Sequence, residues 1–564
     1  MRNGIKMHLD LSPSLFLADY AGFLQVNSET YEELVHKTST MGPQNEAEAV
    51  LDQVALAARF AVQFHPGRFV DGAIENLALE IGAQLRNITA DESGIALPLA
   101  PKKGDRRRIL HVATSVMGIG GHTRMLNNWV QSDKGSCHWL ILTNQGDFPI
   151  PEWLSEAVRS TGGDLVVLPK GSGLCQKAKW LRGTARRVAD LVVLHHGSFD
   201  VLPTVAFAVD GCPPVALLNH ADHEFWLGGS VSDIVINLRT VGSEHTCMRR
   251  FISTNTVIPI PLPHMQKGMA RSNARTALGI PQDQIVLLSV SRPIKYRPCG
   301  PYDFVATAGK ILDRNPEAHL YVVGESSAGI APYLRCGLHE RLHFVGSIED
   351  PSLYRIAADA YLESFPFGAQ TALLEAAVSG LPVAPAYAPL FPLLVANDDA
   401  VKHLIPNPKN EQEYIEGVEQ LIRQPELRNE LGSKLRECLL LDHVGVGWQH
   451  RLTDLYRQTD FLSHRPKHLP TSQCKSDDAD IGLSLWHAMA NGNNYFMDTS
   501  ADIASAVLCH TAFLAKDTGD YARARRFIIR ALRLDPYHWA SWRLLLISLI
   551  GRWGKLLRQA LPRA

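Results

Sequence analysis

The stretch Leu362-Glu-Ser-Phe-Pro-Phe-Gly-Ala-Gln-Thr-Ala-Leu-Leu-Glu-Ala-Ala-Val-Ser-Gly-Leu-Pro-Val383 holds the residues best suited to chemistry. It reads as a strand end, a glycine-containing loop, a helix start and a second short strand. Gly368 and Ala369 let the backbone bend closely around a ligand. Gln370 and Thr371 then stand at the N-terminus of a helix running toward Val378. Free N–H groups and the dipole at such an end favour a phosphate. Glu375 lies about one turn further in, where a carboxylate can accept hydrogen bonds from a ribose diol. A phosphate cradle followed by a diol acceptor describes a nucleotide-sugar site.

Four other segments carry reactive groups. Gly118-Ile-Gly-Gly-His-Thr123 follows an apolar run and precedes a helical one, so the backbone at Gly120 and Gly121 can approach a diphosphate or an acceptor. It lacks the full dinucleotide fingerprint, and no acidic residue marks a ribose site after the next strand, which argues against a dehydrogenase. Ser289-Val-Ser-Arg292-Pro-Ile-Lys295-Tyr-Arg-Pro298 places Arg292 and Lys295, with Arg297 as a substitute, in a strand-to-helix loop. Leu194-His195-His196-Gly197 and Leu218-Asn219-His220-Ala221-Asp222-His223 put histidines at strand ends, where an imidazole can orient or deprotonate a hydroxyl. No convincing metal cluster is found: His220 and His223 make two ligands without a third, and Asp398-Asp399 and Asp477-Asp478 read as surface or linker acids.

These loops need a scaffold of alternating strands and helices. Apolar runs at Ile109–Thr114, Trp139–Thr143, Leu165–Leu168, Leu191–Leu194, Val215–Leu218 and Ile234–Ile236 form one set. Ile285–Ser289, His319–Val323, Leu342–Phe344, Ala360–Leu362 and Pro382–Ala384 form a second, with a seam near residues 261–280. The expected fold class is α/β: two doubly wound, Rossmann-like domains facing a cleft, with helical N- and C-terminal appendages. Ligands in such sheets bind beyond the carboxyl ends of the strands. Apolar spacings of three and four predict helices over Ala47–Gln63 and Phe69–Leu85 in a helical domain spanning 1–100. Pro98, Pro101 and the run from Lys102 to Arg108 read as a solvated linker. The two α/β domains are expected at 108–265 and 275–462, with closing helices over 410–460. A second linker is expected at 464–480 and a helical tail at 481–564.

The segment around Phe365-Pro366…Gln370-Thr371…Glu375 resembles the donor site of GT-B fold glycosyltransferases, and most closely their O-linked N-acetylglucosamine transferase-like branch. The large retaining branch carries paired glutamates. Here Glu375 fits the second of that pair, Phe367 stands in the first position, and Glu363 is out of register. The resemblance covers roughly residues 108 to 460. It implies a glycine loop facing the donor at Gly120 and Gly121, and cations at Arg292 and Lys295 on the diphosphate. Those cations, with Gly368, Gln370 and Thr371, would stabilise the leaving group without a metal. It places His220 beside the reacting sugar, with Asp222 as its partner and His223 as an alternate. Contacts at Gly324-Glu325-Ser326 and Val345-Gly346-Ser347 would reach the nucleotide. The segment from Asp517 to Pro536, with Gly519, Ala522 and Ala531, resembles a tetratricopeptide helix pair.

The resemblance implies an enzyme moving a sugar from a uridine or guanosine diphosphate donor to a glycan, lipid-linked or protein acceptor. No cofactor is expected beyond that co-substrate, and a bacterial enzyme fits the resemblance. A protein partner could bind the C-terminal helices. A nucleotide-sugar epimerase of the same fold and a non-catalytic scaffold stay open as alternatives. Composition agrees: a net charge of −1, from 56 basic and 57 acidic side chains, gives no reason to expect nucleic-acid binding. Nine scattered cysteines without a C-x-x-C pair favour a reducing compartment. No apolar run has signal-peptide or membrane-spanning character, so a cytoplasmic protein is expected, with peripheral attachment at the inner membrane face left open.

Overall fold

The computed structural model describes residues 21–41, 46–85, 106–118, 120–263, 269–388, 391–394, 398–471, 474–491, 500–517 and 519–550. Two parallel sheets dominate it. The first contains β1 (Arg107–Ala113), β2 (Ser136–Leu142), β3 (Leu165–Val167), β4 (Leu191–His195), β5 (Val215–Asn219), β6 (Ile234–Asn237) and β7 (Asn255–Val257). Its order is β3-β2-β1-β4-β5-β6-β7. The second contains β8 (Ile285–Val290), β9 (Ala318–Val323), β10 (Leu342–Gly346), β11 (Ala360–Leu362) and β12 (Val383–Ala384), in the order β10-β9-β8-β11-β12.

Every residue of β2, β4 and β5 is buried. That is why these strands read as continuous apolar runs: helices cover both faces of a parallel sheet. The strand order reverses between β1 and β4 in the first sheet and between β8 and β11 in the second. At each reversal the flanking loops diverge and open a crevice at the carboxyl edge. The expected pair of doubly wound sheets is present, and all five reactive loops found in the sequence leave strands at or beside a reversal.

The helices follow local rules. Asp303 caps the helix Phe304–Arg314 through Ala306 N, and Asn410 caps Glu411–Arg423 through Glu413 N. Pro425 opens Pro425–Asp442, where its missing N–H costs nothing. The last closing helix, Gly445–Asp460, returns to the first sheet, where Trp448, Leu452 and Leu455 pack with Ile109 and Trp129. Burial of each such side chain stabilises by about 1.5–3 kcal/mol.

Contacts divide the chain differently from the sequence reading. Met1–Phe69 and Ser472–Ala564 form one unit, and Val70–Thr471 the other. In the first unit, helices Ala21–Met41 and Ala47–Gln63 join Asp478–Asn491, Ser500–Asp517, Tyr521–Leu534 and Trp539–Ile550. Its core includes Ala512, Ala524, Phe527 and Leu544. The buried His65–Asp480 pair, at 2.7 Å, ties its two chain segments together. Gly519 makes the turn between two of its helices.

The helix Gly72–Gln84, assigned from sequence to the N-terminal appendage, belongs instead to the sheet unit. Glu75 there accepts hydrogen bonds from Gly228 N and Ser230 N, at 3.0 and 2.7 Å. Residues 464–471 are not a loose linker. His464 bonds Asp233 at 2.8 Å and the Phe207 carbonyl at 2.7 Å, and Lys467 N donates to Ser230 O. Most of the other expected linker, including Pro98, Pro101, Lys102 and Lys103, lies outside the described residues. Its end is structured: Arg107 and Arg108 open β1 and pair with Asp460 and Asp190. Among the described residues no helix is long and apolar enough to cross a membrane.

Candidate active site

The two loops expected from sequence to bind a donor hang from β8 and β11. Ser364 Oγ lies 3.1 Å from Ser291 Oγ and donates to Phe367 O at 2.8 Å, so the two loops are cross-linked. Lys295 Nζ donates to Gly368 O at 2.6 Å and sits 4.0 Å from the centre of the Phe367 ring. Burial lowers the Lys295 ammonium to about 7; the charges of Arg292 and Arg239 push the same way, and Glu363 opposes them. Arg292 itself stands exposed at the loop's edge. Phe367, which occupies the position of a paired-motif glutamate, has Lys295 over its face and the His223 ring 4.8 Å away, edge-on.

The helix Gln370–Val378 starts without a side-chain cap. Leu373 N takes Ala369 O at 3.0 Å as the first helical bond, so the N–H groups of Gln370, Thr371 and Ala372 form its orphan first turn. The buried Gln370 Nε2 also has no hydrogen-bond partner. Opposite lies the glycine loop after β1. Gly120 adopts φ 129°, a value that suits glycine, as it opens the helix Gly121–Ser132. A Cβ at Gly121 would stand 2.8 Å from Thr371 Oγ1. Two motifs remote in sequence therefore meet at van der Waals distance, and only the absence of a side chain permits it.

Glu375 departs from its expected state. It is 5% exposed and already ion-paired. Arg355 Nη1 donates to Oε2 at 2.8 Å, and Arg124 Nη1 approaches Oε1 at 3.6 Å from the opposite sheet's helix. A carboxylate has about four lone-pair sites, so a diol would have to share Glu375 with these arginines.

The carboxyl edge of the first sheet gathers imidazoles. His220 follows β5, its Nδ1 3.4 Å from Leu218 O, and its ring stacks on His122 with 4.2 Å between centroids. With Nδ1–H directed at that carbonyl, Nε2 keeps its lone pair. Burial lowers the His220 pKa, with Glu224 opposing and His196 reinforcing, so the ring is a neutral base near pH 7. His196 donates Nε2–H to Leu227 O at 2.9 Å and has a structural task.

Asp222 is not placed to serve His220. Arg239 grips it in a two-point pair, Nε–Oδ2 2.8 Å and Nη2–Oδ1 3.0 Å, and also donates to Leu393 O at 2.7 Å. Burial pushes the Asp222 carboxyl up, but Arg239 and His223 together outweigh it and hold it far below the usual carboxylate range. Asp222 is thus a permanent anion that fixes Arg239 across the two halves.

Sequence reasoning missed Arg124, Arg239, Arg355 and His122. Arg239 sits just beyond β6 and was open to the same strand-end reading as the histidines. Arg124 and His122 lie on the helix that the glycine loop opens, with no local mark of their partners. Among the described residues no three His, Cys, Asp or Glu side chains are grouped to hold a metal ion.

Residues 284–424 match the model of the family described as glycosyl transferases group 1. No curated protein matches the chain. Among solved structures, an O-GlcNAc transferase mutant from Thermobaculum terrenum is similar at 16% identity, over 79% of this chain and 84% of that one, with a TM-score of 0.46. The Anabaena protein Alr3699/HepE, in complex with UDP-glucose, is similar at 16% identity, over 62% of this chain and 100% of that one, with a TM-score of 0.46. A sucrose-phosphate synthase from Thermosynechococcus elongatus shows 15% identity over 62% and 99%, with a TM-score of 0.44. The identities are too low, and the overlaps too loose, for any of their activities to pass to this chain. The family match covers the second sheet, the uncapped helix and the Lys295 loop, and through it the chain carries a group 1 glycosyltransferase domain.

Proposed function

We propose that the protein transfers a sugar from a uridine or guanosine diphosphate donor to an acceptor hydroxyl or amide, without a metal ion. The approach of Gly121 to Thr371 carries this reading. It sets the glycine loop, the orphan N–H groups of the helix Gln370–Val378 and the Lys295 ammonium around one point. The diphosphate binds there, between Gly120, Gly121, Gly368, Gln370 and Thr371.

Negative charge grows on the leaving diphosphate as the glycosidic bond breaks. Fixed donors that cannot relax away stabilise that charge. Lys295, near neutrality in the free protein, gains its full charge beside the phosphates. Arg292 closes the outer edge. Glu375 receives a ribose hydroxyl while Arg355 and Arg124 hold its carboxylate in place. His220 Nε2 takes the acceptor proton. A glycan, lipid carrier or protein all supply such an acceptor.

Incubation of the purified protein with UDP- and GDP-sugars tests this. Slow donor hydrolysis is expected, lost in Lys295→Met. Absence of both hydrolysis and nucleotide binding contradicts the reading. Epimerised donor formed without any acceptor would favour an epimerase.

A further inference from the structure

Three buried histidines cross the first sheet on a diagonal. His138 of β2 lies opposite Ile109 of β1, and His195 of β4 lies opposite Ala113. Between them is His111, on the same face of β1 as Ile109 and Ala113, because side chains alternate along a strand. Each step sideways thus also climbs two residues toward the carboxyl edge. The rings are joined: His195 Nε2 to His111 Nδ1 at 2.9 Å, and His111 Nε2 to His138 Nδ1 at 2.9 Å. All three are 0% exposed. Trp129 meets His111 and His195 edge-on, with centroids 5.7 and 6.0 Å away.

The lower end is anchored by an acid. His138 Nε2 lies 3.3 Å from the Asp133 carbonyl and 3.4 Å from its Oδ2, and Tyr456 donates to that carboxylate at 2.5 Å. Burial pushes the Asp133 carboxyl up, and the hydrogen bonds from His138, Tyr456 and Ser136 bring it below its ordinary value. A carboxylate only accepts, so His138 must turn an Nε2–H toward it. A neutral imidazole has one N–H and one lone pair. His138 Nδ1 therefore accepts from His111 Nε2–H, and His111 Nδ1 accepts from His195 Nε2–H.

This leaves the lone pair of His195 Nδ1 at the upper end. That atom is buried and has no hydrogen-bond partner, as is true of His122 Nε2. The His122 and His195 rings are 6.0 Å apart, and His122 stacks on His220. A water between the two nitrogens would complete the link. The other ionisable groups acting on the upper end are His196 and, on His220, Glu224 and His223.

We propose that the line His195–His111–His138 is a proton path, which carries the proton lost by the acceptor from the stacked His220–His122 pair to Asp133. The idea rests on the glycosyl-transfer reading. The acceptor O–H bond breaks, and its oxygen forms the new bond to the sugar carbon. The sugar–diphosphate C–O bond breaks and its electron pair leaves with the diphosphate. The proton reaches His195 Nδ1, each imidazole passes its Nε2–H to the next Nδ1, and the Asp133 carboxylate receives the last. Every histidine ends neutral in its other tautomer. Asp133, 8% exposed beside Tyr456, returns the proton to solvent. Burial, reinforced by neighbouring imidazoles, lowers the pKa of both His111 and His195, which keeps the resting path uncharged. These three are positioning residues: none needs to touch the substrate.

Asp133→Asn tests the path in the full chain. Its amide cannot take up a proton, whereas the amide oxygen and the residue's main-chain carbonyl, 3.3 Å from His138 Nε2, still accept that N–H, so the resting tautomers stay while the path loses its terminal acceptor. Nitrogen NMR of histidine-labelled protein should show His111 and His195 as Nε2–H tautomers in both the natural chain and the variant. Turnover should fall about tenfold or more, with the donor KM and nucleoside-diphosphate affinity unchanged and the acid limb of the pH–rate profile altered. Tyr456→Phe leaves the carboxylate and should keep the tautomers. Nδ1–H tautomers in the natural chain overturn the path and leave the transferase reading standing. Full turnover in Asp133→Asn also overturns it. Absence of nucleotide binding by the natural chain defeats the transferase reading, and the path's role with it.

Discussion

Both sheets reverse strand order near their centres, and each hangs reactive loops from the strands at that reversal. On the second sheet the loops bring Lys295, the orphan N–H groups ahead of Leu373 and the ion-paired Glu375. On the first they bring neutral imidazoles, with His220 and His122 stacked at the rim and His195 buried behind them. The same topology thus presents opposite electrostatics: N–H donors and a lysine on one edge, neutral imidazoles on the other. Burial acts on both in the same direction, since it favours whichever form is uncharged: it brings Lys295 to the edge of neutrality and keeps His220 unprotonated.

Removing the cation should hurt most. Lys295→Met takes away a donor aimed at the developing charge, and turnover should fall about 100- to 1,000-fold in a steady-state assay. Arg292 cannot substitute from its exposed place at the loop's edge.

Glu375→Ala should cost about 3 kcal/mol of stability, because it leaves the buried Arg355 without its carboxylate. Denaturant unfolding measures that loss. Glu375→Gln separates charge from hydrogen bonding: if nucleotide affinity survives while stability drops, the carboxylate serves Arg355 rather than a ribose.

On the other edge, His220→Asn should lower turnover about 100-fold and leave the calorimetric affinity for nucleoside diphosphate unchanged. An equal loss of nucleotide affinity would erase the division between the two edges.

Gly121→Ala should act more mildly. Its Cβ would stand 2.8 Å from Thr371 Oγ1 and push the two loops apart. Donor affinity should weaken about tenfold, a cost of about 1.4 kcal/mol. Thr371→Ala in the same chain removes the opposing hydroxyl and should restore part of it.

The sequence reading succeeded where a signal was local and failed where a partner came from afar. Apolar runs revealed the buried strands, yet β7, Asn255-Thr-Val257, is short, only partly buried and begins with a polar residue, and it was missed. The donor loop was legible because Gly368, Gln370 and Thr371 are neighbours in the chain. Glu375 was read as a waiting acceptor because nothing near it in sequence announces Arg355 or Arg124. Asp222 was paired with His220 for their closeness in the chain, whereas Arg239 reaches it from beyond the next strand. The histidine diagonal gave no sign at all, since it depends on the register of three strands. The appendages were separated in sequence and are joined in space by pairs such as His65 with Asp480.

The pH dependence of nucleoside-diphosphate binding tests the central claim most directly. Lys295 is largely neutral above its pKa of about 7 in the free protein, and a bound diphosphate must raise that pKa. Binding then takes up a proton at any pH between the two values, so affinity should fall as pH rises above 7, by at most about tenfold per unit. Calorimetry with UDP or GDP, in buffers of different ionisation enthalpy, should show that uptake in the natural chain and none in Lys295→Met. Binding that is flat with pH in the natural chain, or equally tight in Lys295→Met, would contradict a diphosphate held by Lys295 at the tip of the helix Gln370–Val378.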